Sequence, residues 1–380
     1  MTRRSTPAVG DADPTSPPES PVQVVGLPRR AVAQRAATRA QAAALARARR
    51  RRWRRTLVVA AAVALLAGAV VASLSVGSRA VPPEQVWRAL LHPDDSVAAT
   101  IVRGQRLPRT LLAIEIGAAL GVAGAVMQAL TRNPLADPGI LGVNAGASLA
   151  VVSAVALTGF VGVWFYLWFA FAGAAFAATA VYLLGAVAGA FATPARLALA
   201  GVAISAAAGS LVQTVILTDQ RAFNEFRFWA AGSLEGRRWE ILLAVTPFVA
   251  AGLLLAAAVA PALNVLALGS DTGAALGARP RVTAAVAMAA VTLLCGAATA
   301  AVGPIGFVGL GVPLLARVLV GQDQRWIVLV TLLYAPVLVL LADVVGRRLV
   351  SGAEVQVGII TAVVGGPVFV AVVRRRRVAM

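Results

Sequence analysis

Apolar residues in this chain come in long unbroken runs, without the alternation of a half-buried strand or the single stripe of a surface helix. Runs fall near 56–76, 110–130, 139–159, 163–185, 196–217, 241–261, 282–302, 306–321, 326–345 and 357–373. Most are close to the about 20 residues, rising about 1.5 Å each, that carry a helix across a bilayer. The block 282–321 is too long for one crossing, and Gly303-Pro304 divides it by turn chemistry. The pattern predicts an all-α, polytopic membrane protein with ten transmembrane helices and both tails on one side.

The polar punctuation between the runs is equally patterned. Between the second and third runs stands "TRNPLADPGILGVNAGAS", residues 131–148. Asn133-Pro134 and Asp137-Pro138 cannot continue a helix, because a residue before proline avoids the helical region. Such a break is tolerated at the membrane surface or against other protein. The stretch therefore reads as a turn, with Gly139 opening the third span and Arg132 a retention charge at a span end. After the sixth run, Ser270 is a good N-cap and Gly277 a good stop, which predicts a short helix over 271–276.

Composition strengthens the membrane reading. Mean hydropathy is +0.82, and 59% of the 380 residues are hydrophobic, more than a soluble fold of this length can bury. The 35 glycines suit close approach of spans, and the GxxxG spacings Gly117/Gly121, Gly142/Gly146 and Gly185/Gly189 read as packing.

The net charge of +18 sits mainly in the tails rather than on a face that would meet nucleic acid. Residues 1–55 hold thirteen Arg against Asp11, Asp13 and Glu19, and Arg374 to Arg377 add four. Three parts follow: a basic, largely disordered tail 1–55 with a basic helix around 31–55, a membrane domain 56–373, and a basic tail 374–380. With both tails inside, the inner side carries 23 Arg and six acids, the outer side 11 Arg and ten acids. The inside-positive bias then favours a plasma-membrane protein with both termini cytoplasmic. Residues 56–76 exceed a signal-peptide core and read as a retained first span.

Several chemistries are excluded by residue type. All 34 basic residues are Arg, so the lysine of a phosphate-cradling GxxxxGK[ST] loop is missing and ATP hydrolysis must lie on another subunit. With His92 and Cys295 the single residues of their types, no metal cluster, cofactor ligand set or catalytic triad is expected. Only Glu115 and Asp343 are acids inside spans, each near an outer end, which argues against a gradient-driven transporter with mid-membrane charges.

"RLPRTLLAIEIGAALGVAGAVMQALTRNPLADPGILGVNAGAS" (106–148) resembles the signature of the FecCD-type permeases, which serve ATP-binding-cassette (ABC) importers of iron-siderophore and cobalamin. "LNVLALGSDTGAALGA" (263–278) resembles that family's cytoplasmic coupling loop. "GPIGFVGLGVPLLARVLVGQDQR" (303–325), "LLADVVGR" (340–347) and "VQVGIITAVVGGPVFV" (355–370) resemble its last three spans. The resemblance implies a type II importer permease for ferric siderophore, with cobalamin or haem as alternatives and a stand-alone secondary transporter as the reading from another class. It implies a homodimer or heterodimer with a second permease, ATP-binding ABC subunits below and a substrate-binding protein at the outer face. Carried over by residue, binding-protein docking falls to Arg106, Arg109 and Arg347. ATPase coupling falls to Leu268, Gly269, Ser270, Asp271, Thr272, Ala275, Leu276 and Gly277. The inner turn of the pathway falls to Arg132, Asn133, Pro134, Asp137 and Pro138. Two departures stand out: Leu314 where the family commonly has His, and Glu115 where it has an aliphatic residue.

Overall fold

The computed structural model describes residues 29–77, 81–92, 94, 96–160, 162–186, 194–350 and 353–376. The disorder expected for residues 1–28 lies outside them. By contact the chain divides into Met1–Arg52 and Trp53–Met380. The first unit contributes the start of α1 (Arg29–Ser75), where a basic helix was expected. The rest concerns the second unit.

After α1 come α2 (Pro83–Leu91) and α3 (Val97–Ile101), then a π-helical turn Val102–Arg106 that feeds α4 (Leu107–Leu130). A 3-10 turn, Pro138–Leu141, leads to α5 (Val143–Thr158), followed by α6 (Val163–Ala186), α7 (Pro194–Thr218) and α8 (Gln220–Ala230). The chain continues through α9 (Trp239–Leu266), α10 (Ser270–Ala275), α11 (Pro280–Val302), α12 (Val308–Val320), α13 (Gln324–Leu349) and α14 (Val357–Arg376). Among the described residues the only β feature is an isolated bridge, Val350 to Ala353.

Among the described residues, seven helical segments are long and apolar enough to cross a membrane: Arg49–Ser75, Val97–Leu130, Val163–Gly185, Ala195–Thr218, Trp239–Leu266, Pro280–Val302 and Gln324–Leu349. The other three expected spans coincide with shorter apolar helices, Val143–Thr158, Val308–Val320 and Val357–Ala371. Gly139 does not open the third span: Asp137 caps the 3-10 turn and left-handed Gly142 precedes α5. The short α2, α3 and α8 lie between expected spans, where run length gave no signal.

α4 is the most enclosed helix, flanked by α13, α11, α12 and α9. Small residues permit this. A Cβ on Gly117 would run into the backbone of Pro336, and one on Gly121 into Ala335 and Thr331, so α4 and α13 touch nearly backbone to backbone. Gly124 lies equally close to the backbone of Gly309 on α12. The packing reading thus holds for Gly117/Gly121. Gly146 packs on Gly173 of α6, whereas Gly142 serves the turn and Gly189 lies outside the described residues.

Candidate functional site

The last carbonyls of a helix lack intrahelical partners and need donors from elsewhere. At the end of α1 those donors are arginines. Arg106 Nη1 donates to the carbonyls of Leu74 at 2.7 Å and Ser75 at 2.9 Å. Arg347 Nη1 donates to those of Ser73 at 2.9 Å and Val76 at 3.1 Å, and its Nη2 to Ser73 Oγ at 3.3 Å. Ser73 Oγ also bonds Thr110 Oγ1 at 2.8 Å, which ties α1 to α4. Positive side chains at a helix C-terminus are favoured by the helix dipole as well.

One carboxylate joins this cap to a second pair. Asp343 ion-pairs with Arg347 one turn along α13 and accepts from Arg109 Nη2 at 2.7 Å and Nε at 3.2 Å. Arg109 also ion-pairs with Glu354 at 2.8 Å. The Asp343 and Arg347 side chains are each 2% exposed, so the network is dry at its centre. It gathers α1, α4, α13 and the segment before α14.

The three arginines to which the resemblance assigns docking sit in this network. Arg106 and Arg347 are buried and Arg109 is largely so, each committed to groups of this chain. A close carboxylate and the open carbonyls of a helix end outcompete water at these guanidiniums. Exposed arginines nearby are Arg103 and Arg348.

The opposite-end candidate is the elbow after α9. Gly269, with φ 119° and ψ 152°, occupies the cap before α10, a conformation that side chains resist. Ser270 is therefore the first helical residue and not the N-cap, and the helix runs one residue earlier than expected. Its exit is a Schellman motif: Ala278 N donates to the Gly273 carbonyl at 3.0 Å and Gly277 N to that of Ala274 at 2.9 Å, with Gly277 at φ 86°. Thr272, Ala275 and Gly277 are exposed, and Asp271 lies in the first turn. Leu268 and Leu276 are each 64% exposed. Leu268 stands just before the Gly269 cap and Leu276 just after the last helical residue, so the two exposed leucines flank the short helix.

At the turn of residues 131–142 the prolines act as expected. Asn133 Oδ1 accepts from Leu135 N at 3.0 Å, Asp137 Oδ1 from Gly139 N at 2.8 Å, and Pro138 starts the 3-10 turn. Burial raises the Asp137 carboxyl above its ordinary value, opposed by the Gly139 N–H. Arg132, Asn133 and Pro134 are exposed, with Arg132 in the left-handed region at φ 51°.

The chain matches the family described as the FecCD transport family over residues 45–375. The chain belongs to the FecCD transport family. It is 47% identical over 313 residues to the ferric enterobactin transport system permease protein FepD of Escherichia coli (strain K12), covering 82% of this chain and 93% of that protein. Identity to the Fe(3+)-citrate import system permease protein YfmD of Bacillus subtilis (strain 168) is 37% over 305 residues, covering 80% and 90%. A solved inward-facing structure, described as of a metal-chelate type ABC transporter, superposes with a TM-score of 0.73 at 27% identity, covering 84% of this chain and 99% of that one. All-α, with an ABC-importer permease fold, this FecCD-family chain is a multi-pass membrane permease.

Run length and resemblance missed several contacts of this FecCD-family chain. Arg54 Nη2 donates to the Val318 carbonyl at 2.9 Å. Arg55 pairs with Asp323 at 3.7 Å and lies 4.7 Å from the Trp326 ring centre, so two tail arginines also anchor α1 on α12 and α13. Asp343 and Arg347 were legible as an i, i+4 pair. Leu314 is buried in α12, and Glu115 Oε2 accepts from Thr246 Oγ1 of α9 at 3.1 Å.

Proposed function

We propose that this chain is the permease subunit of an ATP-binding-cassette importer for a ferric siderophore. The elbow carries the reading: a short helix set between positive-φ glycines and flanked by the exposed Leu268 and Leu276 suits a groove on a partner. That partner is a separate ATPase, since the chain has no Lys for a phosphate-binding loop. The full reading is ten crossings, both termini cytoplasmic, a dimeric pathway with this chain or a second permease, and a substrate-binding protein outside. The basic segment 1–55 and the end 374–380 are cytoplasmic flanks of the 56–373 permease domain. Docking of the binding protein falls on the arginine-rich face around Arg106, Arg109 and Arg347, where Arg103 and Arg348 are the exposed cations. The turn Arg132–Pro138 lies at the cytoplasmic mouth of the pathway.

Siderophore is favoured over cobalamin or haem by the 47% identity to a ferric enterobactin permease. Uptake of radiolabelled iron by cells carrying this system tests it. Excess unlabelled ferric siderophore should abolish accumulation and cobalamin should leave it unchanged; the reverse would reassign the cargo. A cytoplasm-dependent reporter should be active after Arg377 and silent near Asp94. The opposite pattern would reject the orientation.

A further inference from the structure

An apolar groove of about 530 Å³ runs between α12, α13 and α14. Leu314, Val318, Tyr334, Leu338, Leu341 and Phe369 are among its walls, and among the described residues none of its lining is charged. Leu314, at the position where the resemblance expects His, keeps its wall apolar. The one polar side chain, Tyr334, donates its hydroxyl to the Val58 carbonyl of α1 at 3.3 Å. The groove is open, with Val318 55% and Leu341 46% exposed. From Phe307 to Val318 the α12 side rises about 16 Å, about the depth of one leaflet of a ~30 Å hydrocarbon core. Spread over that length, the volume leaves a channel roughly 6 Å across, narrower than the about 10 Å diameter of a helix. One end of the groove carries charge. Arg54 is exposed and donates through Nη2 to the carbonyl of the wall residue Val318 at 2.9 Å. Trp53 beside it is 63% exposed, as aromatic residues at headgroup level are. In sequence, six of the seven residues 49–55 are Arg. The acid of the α12–α13 turn, Asp323, is engaged by Arg55 at 3.7 Å and by Asn264 at 2.9 Å.

We infer that this groove holds one acyl chain of an anionic phospholipid from the surrounding bilayer, with the headgroup phosphate on Arg54. Width and depth suit a single extended chain, and an uncharged lining asks for no polar partner. A guanidinium takes a phosphate through charge-assisted bonds, which are the strong ones. Arginines crowded beside the end of a span draw net-anionic lipid in preference to zwitterionic lipid. A second copy of this chain or a docking protein would present a helix, which the channel is too narrow to admit. The inference needs only the membrane fold and stands apart from the importer reading, whose own test is uptake.

The test uses the full chain in detergent, with phosphatidylglycerol and phosphatidylcholine of identical chains as probes and native mass spectrometry to count retained lipid. Wild type should hold one phosphatidylglycerol at least about tenfold more tightly than phosphatidylcholine, the worth of one charged hydrogen bond. Arg54→Gln should bring phosphatidylglycerol down to phosphatidylcholine, while Arg88→Gln, at an exposed arginine of α2, leaves the preference unchanged. Gly311→Phe fills the groove from α12: a Cβ there meets nothing within 4 Å, so the fold admits it. That variant should lower retention of phosphatidylglycerol at least about tenfold with an unchanged thermal midpoint. If it fails to fold, the smaller Gly311→Leu gives the same reading. Equal retention of the two lipids in wild type would overturn the inference. So would undiminished phosphatidylglycerol in the folded Gly311 variant, which would assign the lipid to the basic segment alone. A lipid-free dimer that the Gly311 variant dissociates would also overturn it, giving the groove to a second copy.

Discussion

Replacing Asp343 with Asn should loosen the packing of α1, α4 and α13 on one another. In the native network its two oxygens serve Arg347 and Arg109, and its side chain is 2% exposed. Removing one partner of a buried ion pair costs about 3–5 kcal/mol, because the remaining charge stays desolvated. Two circumstances reduce that figure here. Arg109 keeps Glu354 at 2.8 Å, and Arg347 keeps the Ser73 and Val76 carbonyls at 2.9 and 3.1 Å. One circumstance restores it: without the anion, the two guanidiniums face each other across a dry gap. The net expectation is a loss of about 2–4 kcal/mol. Thermal unfolding of the purified chain in one detergent, followed by tryptophan emission, should show a midpoint lowered by at least about 4 °C. The internal reference is Glu84→Gln, which breaks the exposed Glu84–Arg88 pair, 82% and 65% exposed, and should lie within about 1 °C of wild type. Equal midpoints for Asp343→Asn and Glu84→Gln would refute the idea that this carboxylate binds α1, α4 and α13 together.

Replacing Gly269 and Gly277 together with Val forces side chains into φ 119° and φ 86°; ATP-driven uptake should fall at least about tenfold with membrane levels intact, read by transport against immunoblot. Arg132→Lys keeps the charge of an exposed turn residue, so uptake within twofold of wild type is the expectation, and a larger loss would assign the guanidinium a specific contact. Asp137→Asn should raise thermal stability at pH 7–8: a carboxyl whose folded value is raised loses stabilisation as pH climbs through that value, and the amide removes this loss. The gain should vanish below the ordinary carboxyl value of 3.8, and a pH-independent difference would contradict the burial argument.

Seven of the ten expected spans were legible because length and hydropathy are sufficient to recognise a membrane helix, and the prolines and glycines at 131–142 and 269–277 carry their own local chemistry. α8 was not legible: it is short and amphipathic, with Ala222 and Trp229 as its buried residues, and it packs on α5 and α7. The role of Arg106 and Arg347 was hidden for a different reason. Besides Asp343, their acceptors are mainly main-chain carbonyls at the end of α1, which no side-chain motif announces, and Arg347 lies 274 residues from Ser73. The Ser270 cap failed through competition: Gly269 reaches the cap conformation that starts the helix one residue sooner.

Reconstitution of this chain with its ATPase and binding protein in liposomes tests the importer reading most directly. Radiolabelled ferric siderophore, supplied with the binding protein on one side, should accumulate only when hydrolysable ATP reaches the ATPase on the other. Accumulation driven by an ion gradient without ATP, or by this chain alone, would contradict it.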